Sequence, residues 1–446
     1  MNTKENSVDM LHGPLSKKII LFAMPIALSS ILQQLFNAAD TSVVGKFCDS
    51  NAIAAVGTNG EIVALLVTIA LGLASGANVL IATFIGRGEK KKIADAVHTS
   101  ILMAVILGIV LAIAGQFLAR PLLIAIKTPD NVLYQAILYL KIYCAGLPFL
   151  LLYDFASCIM RSKGDSRRPF IALVLSGILN IFLNLFFVLV CRMDVAGVSL
   201  ATIISTLFSA ILLLVWLSRE QDEFSFSIKK LCLNKRYCSA ILKVGIPTGI
   251  QGAVFCVVNL FIQGAVNSFG SVVTAGNTIA MNYEYFAYYM ITAFAQAATT
   301  FTSQNFVAYN MDRCKKVLRL CLLWGFIFSN LIIVPITIFR DQVSMLFTSE
   351  AEVIQVASLR CMIIVSLTSI CTFFEVPAGS LRGSGHQIVP TILTIFGTCV
   401  LRIIWIFTIF QKYRSLEVLF VSFPLTQSFI ALSFLAAFLA IKPFVK

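Results

Sequence analysis

The sequence predicts an all-α integral membrane protein, with twelve transmembrane helices in two parallel-repeat six-helix lobes around a central cleft. Three observations predict it. The 446 residues are 59% apolar and only 12% charged, where a soluble domain carries about 25% charged residues. Apolar runs of spanning length recur along the whole chain, and Lys and Arg gather in every second connection between them. A cytosolic enzyme, a secreted disulfide scaffold and a disordered regulator are excluded together.

A spanning helix needs about 20 mostly apolar residues. That ruler places spans 1 to 12 at roughly 16–44, 53–83, 94–116, 132–159, 169–190, 195–217, 239–266, 273–304, 317–339, 353–379, 388–410 and 416–441. The first dozen residues are polar. The first apolar run exceeds a signal h-region and ends without a small-residue cleavage site, so no cleaved signal is expected. Connections are short except 218–238, whose Gln221-Asp222-Glu223 and Lys229-Lys230 read as a polar linker. The domain reading is therefore an N-terminal lobe 1–217, a cytoplasmic linker 218–238 and a C-terminal lobe 239–446.

With the N-terminus inside, 24 Lys and Arg fall in cytoplasmic segments, among them Lys4 and Lys446, against 7 outside, including Lys46 and Lys127. That asymmetry places both termini in the cytoplasm of an inner-membrane protein and accounts for the net charge of +13 without nucleic acid. The twelve Cys include no C-x-x-C pair, and His12, His98 and His386 are scattered. Neither a metal site, a cofactor nor a disulfide framework is expected.

A repeat lies beneath the apolar background. A shift of 222 superposes Pro25 on Pro247, Asn37 on Asn259 and Phe47 on Phe269. A shift of 221 superposes Arg161 on Arg382, Gly164 on Gly385 and Pro169 on Pro390. Six spans per half is an even number, so the halves share one orientation, as in parallel-repeat transporters. Pro25 and Pro247, and Arg161 and Arg382, are the positions expected to carry conformational change.

Pro25 followed by Asn37-Ala38-Ala39-Asp40-Thr41 resembles the first helix of the multidrug and toxin extrusion (MATE) family. Gly86-Arg87-Gly88, Gln304-Asn305 and Leu381-Arg382-Gly383-Ser384-Gly385 with Pro390 extend the match over the chain, closest to the bacterial DinF-like branch. The resemblance implies a monomeric secondary antiporter exporting cationic or amphipathic drugs in exchange for H⁺, with Na⁺ the second candidate. There are departures. Asn180 is followed by Asn184 where the family often has Asp, and Asp154 stands where relatives usually show Asn. The acidic residue some members carry in span 7 is absent near Phe255 and Cys256.

Charged groups inside spans are functional candidates by default. Glu61, His98, Lys141 and Arg360 lie near proposed span ends and read as interface anchors. Arg402 is deeper, and pairing with a carboxylate or reaching a headgroup both stay open. Asp40 lies in the outer half of span 1; Asn180 and Asn184 share a helix face, and Thr202 stands about 10 Å into span 6. These four are the candidate ion-coupling group. Asp154 and Glu375 superpose at shift 221, about 10 Å from the cytoplasmic side. Glu284 sits near mid-depth among tyrosines, with Tyr288 on its face at i+4. A carboxylate bordered by Tyr rings suits a lipophilic cation. Glu284, Glu375, Asp154 and Tyr288 are therefore the candidate substrate residues, and Arg402 is the only basic residue expected deep enough to neutralise either C-lobe Glu.

No G-x-x-x-x-G-K-[ST] occurs, so ATP is not expected as the direct energy source. A lipid-linked saccharide flippase built from related helices is the alternative reading. The mainly acidic mid-span charges argue against its anionic diphosphate cargo. A membrane enzyme would need a nucleophile–base pair or metal cluster at depth, and the sequence offers none.

Overall fold

A computed structural model describes residues 8–47, 50–126 and 128–444. Lys4, Cys48, Lys127 and Lys446 lie outside the described residues, as do the side chains of Ala38, Ala39, Thr41 and Lys46. Among the described residues the fold is all-helical, with no strand. Among the described residues ten helices are long and apolar enough to cross a membrane, or eleven when the pair Asp130–Ala145 and Leu147–Lys163, bent by 45°, is counted as one span. Ser271–Val307 occupies the place of span 8. It is 37 residues long, but Asn277, Asn282, Glu284 and Gln296 interrupt its apolar run.

The repeat is written in backbone hydrogen bonds. Span 4 ends as Gly164 takes φ 102°, with Gly164 N–H donating to Arg161 O (2.9 Å) and Asp165 N–H to Met160 O (3.0 Å). Span 10 ends identically at shift 221: Gly385 has φ 90°, its N–H donates to Arg382 O (3.2 Å), and His386 N–H donates to Leu381 O (2.9 Å). This left-handed cap favours glycine, which has no Cβ to clash. Both spans are also broken at matching places. Span 4 bends at Gly146. Span 10 runs from Ala351–Ile363 through a 3₁₀ turn, Val365–Cys371, into Thr372–Gly383. The π-turns do not match: Phe186–Val190 closes span 5, whereas Ile395–Val400 interrupts span 11 before Leu401–Phe407.

The chain forms two compact units, and their boundary is not the 218–238 linker. One unit contains Leu28–Gly249; the other contains Asp9–Ala27 and Ile250–Lys446. Spans 1 (Leu15–Phe47) and 7 (Lys235–Asn267) are thus each divided, two residues past Pro25 and Pro247. A proline cannot donate the i→i−4 bond, so each division falls at an intrinsic weak point of its helix.

In the first unit, span 2 (Ser50–Gly86) packs tightly on the start of span 7: a Cβ on Gly76 would stand 2.1 Å from Ile241 O. Small residues permit this backbone approach, the usual device where lipid supplies no hydrophobic drive between helices. The linker also belongs to this unit's core. Phe224 and Phe226 are buried in a cluster with Ile93, Tyr153 and Leu213. Lys163 bonds Glu220 and Asp222 (both 2.5 Å), and Arg168 bonds Asp165 and Glu220. The expected polar connection is a docked segment. His98, expected as an interface anchor, is buried and its Nε2 accepts from Ser227 N–H (3.1 Å), so it holds that segment instead.

The second unit has its own core along spans 8, 10 and 12, including Ile291, Phe374, Leu381, Ile430 and Phe434. A Cβ on Gly379 would meet Ala295 O at 2.3 Å, so spans 8 and 10 approach as closely as spans 2 and 7 do.

Candidate functional site

In the first unit, spans 1, 5 and 6 bring the four candidate ion-coupling residues together. Asn184 Nδ2 donates to the Asp40 carboxylate at 2.5 Å and to Asn180 Oδ1 at 3.2 Å. Asn180 Nδ2 reaches Thr202 Oγ1 at 3.5 Å, and Thr202 also stands against the Asp40 carboxyl. The i,i+4 spacing places both amides on one helix face, and span 1 supplies the single charge. Asn180 and Asn184 are buried, while Asp40 is half-buried. Asn184 Oδ1 is buried without a hydrogen-bond partner. A cavity of about 20 Å³, bordered by Thr202, Thr206, Tyr143 and Leu150, adjoins the cluster and has room for about one water molecule. Among the described residues no group of three or more His, Cys, Asp or Glu could hold a metal ion.

Farther along the same unit Asp154 is buried, with Oδ2 lacking a partner and Arg161 as its electrostatic neighbour. Glu375, its repeat partner in the second unit, accepts from Tyr288 OH at 2.8 Å. Arg382 faces Glu375 electrostatically and donates to Gln251 Oε1 at 3.0 Å. Tyr288 therefore serves Glu375 and not Glu284, the carboxylate on its own helix.

Glu284 is neutralised by Arg360, not by Arg402, the only basic residue expected deep enough to do so. Arg360 Nη2 donates to Glu284 at 2.6 Å, and Arg360 Nη1 donates to Asn277 Oδ1 at 2.6 Å. Arg360 is no interface anchor: it is 2% exposed, in the last turn of Ala351–Ile363, with its guanidinium 5.5 Å from the Phe420 ring centroid and 5.2 Å from that of Phe423. Arg402, also buried, lies 4.2 Å from the Phe423 centroid and donates from Nε to Thr426 Oγ1 at 3.0 Å. Its nearest carboxylate by electrostatic influence is Glu284, which Arg360 already holds. Sequence reading missed Asn277, Phe420, Phe423 and Thr426. A usable signal was present in two arginines, Arg360 and Arg402, within otherwise apolar spans.

A buried polar cluster in each of two repeated helical units, with spans crossing a membrane, defines a multi-pass membrane transporter. Comparison with known proteins gives the family. The MatE family model matches residues 25–186 and 247–408, one stretch in each repeat. The chain is 26% identical over 412 residues to the probable multidrug resistance protein YoeA of Bacillus subtilis (strain 168), covering 90% of this chain and 88% of that protein. Two solved structures share the fold. One is a MOP superfamily transporter from Pyrococcus furiosus, described for the reverse polarity of its binding pocket (TM-score 0.91, 22% identity, 99% of each chain). The other is an outward-facing multidrug resistance MATE transporter (TM-score 0.90, 23% identity, 98% of each chain). The chain belongs to the MATE family of multidrug efflux transporters.

Proposed function

We propose that this transporter is a proton-driven antiporter, exporting amphipathic drugs by alternating access across the inner membrane with both termini in the cytoplasm. The observation that carries the reading is the Asp40–Asn184–Asn180–Thr202 chain of hydrogen bonds. It has one titratable group, and its central amide can serve either protonation state. As found, Asn184 Nδ2 donates to Asp40 and leaves Oδ1 without a partner. Protonation makes the carboxyl a donor, and a flip of the Asn184 amide presents Oδ1 to receive it. Proton and cargo favour different states of the protein, and linkage makes that preference reciprocal.

Na⁺ is the weaker candidate. The cluster offers amide and hydroxyl oxygens but only one carboxylate, and hard cations favour several charged oxygen ligands. The cationic part of the cargo expectation loses its main support, because Glu284 is already paired with Arg360. The argument from acidic mid-span charge against a flippase falls with it; the family match favours drug export.

The test is drug-driven proton flux in proteoliposomes loaded with pyranine. Wild-type protein is expected to move protons when drug is added on one side, at fixed Na⁺, and Asp40→Asn to move none while remaining inserted. Flux that requires Na⁺ at fixed pH, or wild-type flux in Asp40→Asn, would overturn the proposal.

A further inference from the structure

Among the described residues, the second unit has one more deep arginine than it has carboxylates to pair with. Arg360 is neutralised by Glu284 at 2.6 Å and held by Asn277. Arg382 faces Glu375. Arg402 is left over. It is 3% exposed, and its one hydrogen bond among the described residues runs from Nε to Thr426. A guanidinium has five N–H donors, and neither Nη group of Arg402 makes a hydrogen bond among the described residues. Arg360 lies beside the same Phe423 ring and adds a second positive charge. A buried cation with no carboxylate in direct contact is costly, and the group that best relieves it is an anion whose oxygens match the planar fork. The Phe423 face fixes one side of the guanidinium and leaves its edge for that contact.

We propose that the second unit contains a recognition site for the anionic group, carboxylate or phosphate, of an amphipathic cargo. Arg402 is the contacting residue, Phe423 and Thr426 orient it, and Arg360 raises the local positive potential. Glu284 then tunes the site by holding Arg360, and is not itself the ligand contact. The inference deepens the exporter reading by naming the charge of the cargo, and rests on that reading only for the claim that the bound molecule is transported.

The test uses the full chain in phosphatidylcholine nanodiscs and three probes with one aromatic skeleton: 1-pyrenebutyrate, its methyl ester, and the corresponding trimethylammonium compound. Wild-type protein should bind the carboxylate most tightly. Arg402→Gln should weaken that probe by about tenfold or more, the range lost with a hydrogen bond to a charged group, and leave the ester nearly unchanged. Arg402→Lys keeps the charge without the fork and should fall between. Thr426→Ala, which retains Arg402, provides a second variant should Arg402→Gln not insert, and should weaken the carboxylate selectively and less. Equal wild-type affinity for all three probes, or equal loss of all three in Arg402→Gln, would overturn the site and reduce Arg402 to a packing residue. Phosphatidylglycerol displacing the carboxylate probe in proportion to its content would make a lipid headgroup the resident anion and overturn the cargo assignment. Asp40→Asn separates the two proposals: it should end proton-coupled export while carboxylate binding through Arg402 persists. Absence of proton-coupled export in the wild type, with that binding intact, would sink the exporter reading alone.

Discussion

The two units repeat their backbone and not their chemistry. The caps of spans 4 and 10 match bond for bond at shift 221, and both spans break at equivalent points. Yet at shift 222 Asp40 of span 1 superposes on Ile262 in span 7, an apolar residue. Where Asn180 and Thr202 join spans 5 and 6, spans 11 and 12 are joined by Arg402 and Thr426, one and three residues beyond the positions equivalent at shift 221. The cluster of spans 1, 5 and 6 thus sets one carboxylate among amides and hydroxyls, and the other unit buries guanidinium groups among phenylalanines. Duplicated helices preserve the contacts that set geometry, and the polar groups they position are free to diverge into separate tasks.

The largest difference is expected on activity. Asp40→Asn should abolish proton-coupled export, whereas Ile262→Asn, the same change at the repeat position, should leave proton coupling in place. Flux measurements on both variants check it, and equal loss would erase the asymmetry. Next comes the buried pair. Arg360→Ala removes the partner of a Glu284 side chain that is only partly exposed (17%), which should cost about 3 kcal/mol of stability, the low end of the range for a buried pair, read as a lowered thermal transition of the purified protein. Glu284→Gln in the Arg360→Ala background should recover part of it. A smaller effect is expected at Tyr288→Phe, which deprives Glu375 of a donor bonded at 2.8 Å. The loss should be about 1.5–3 kcal/mol, the range for a hydrogen bond to a charged group. Smallest is a pair of cap substitutions. Gly164→Ala and Gly385→Ala each force an L-residue to positive φ, costing about 1–2 kcal/mol. At Gly164 the new Cβ also meets Val8 O at 2.4 Å, while at Gly385 there is open space. Gly164→Ala should be the more destabilising of the two.

Much of this architecture was legible in the sequence because its signals are local. Span length, the placement of Lys and Arg, and the Pro, Gly and Arg of the repeat are each read within a few residues. The i,i+4 pair Asn180 and Asn184 likewise announces a polar helix face. What stayed hidden depends on distant partners. The Arg360–Glu284 bond joins residues 76 apart, and the Phe420 and Phe423 rings beside Arg360 come from another span. The division of spans 1 and 7 at their prolines reflects which neighbours each half packs against, and no periodicity records that. The docked linker had a readable sign: Phe224-Ser225-Phe226-Ser227 alternates apolar and polar inside a charged stretch.

The division of labour between units is tested most directly by proton release on ligand binding. Purified protein in a weakly buffered solution, near the pH at which Asp40 titrates, is mixed with saturating 1-pyrenebutyrate and the pH change is followed. Competition between proton and cargo predicts release of up to about half a proton per wild-type molecule, since about half the carboxyls are protonated at that pH. It predicts none from Asp40→Asn, whose carboxylate probe still binds, and release again from Arg402→Gln once probe concentration restores occupancy. Wild-type proton release from Asp40→Asn would contradict the assignment of titration to the first unit and recognition to the second.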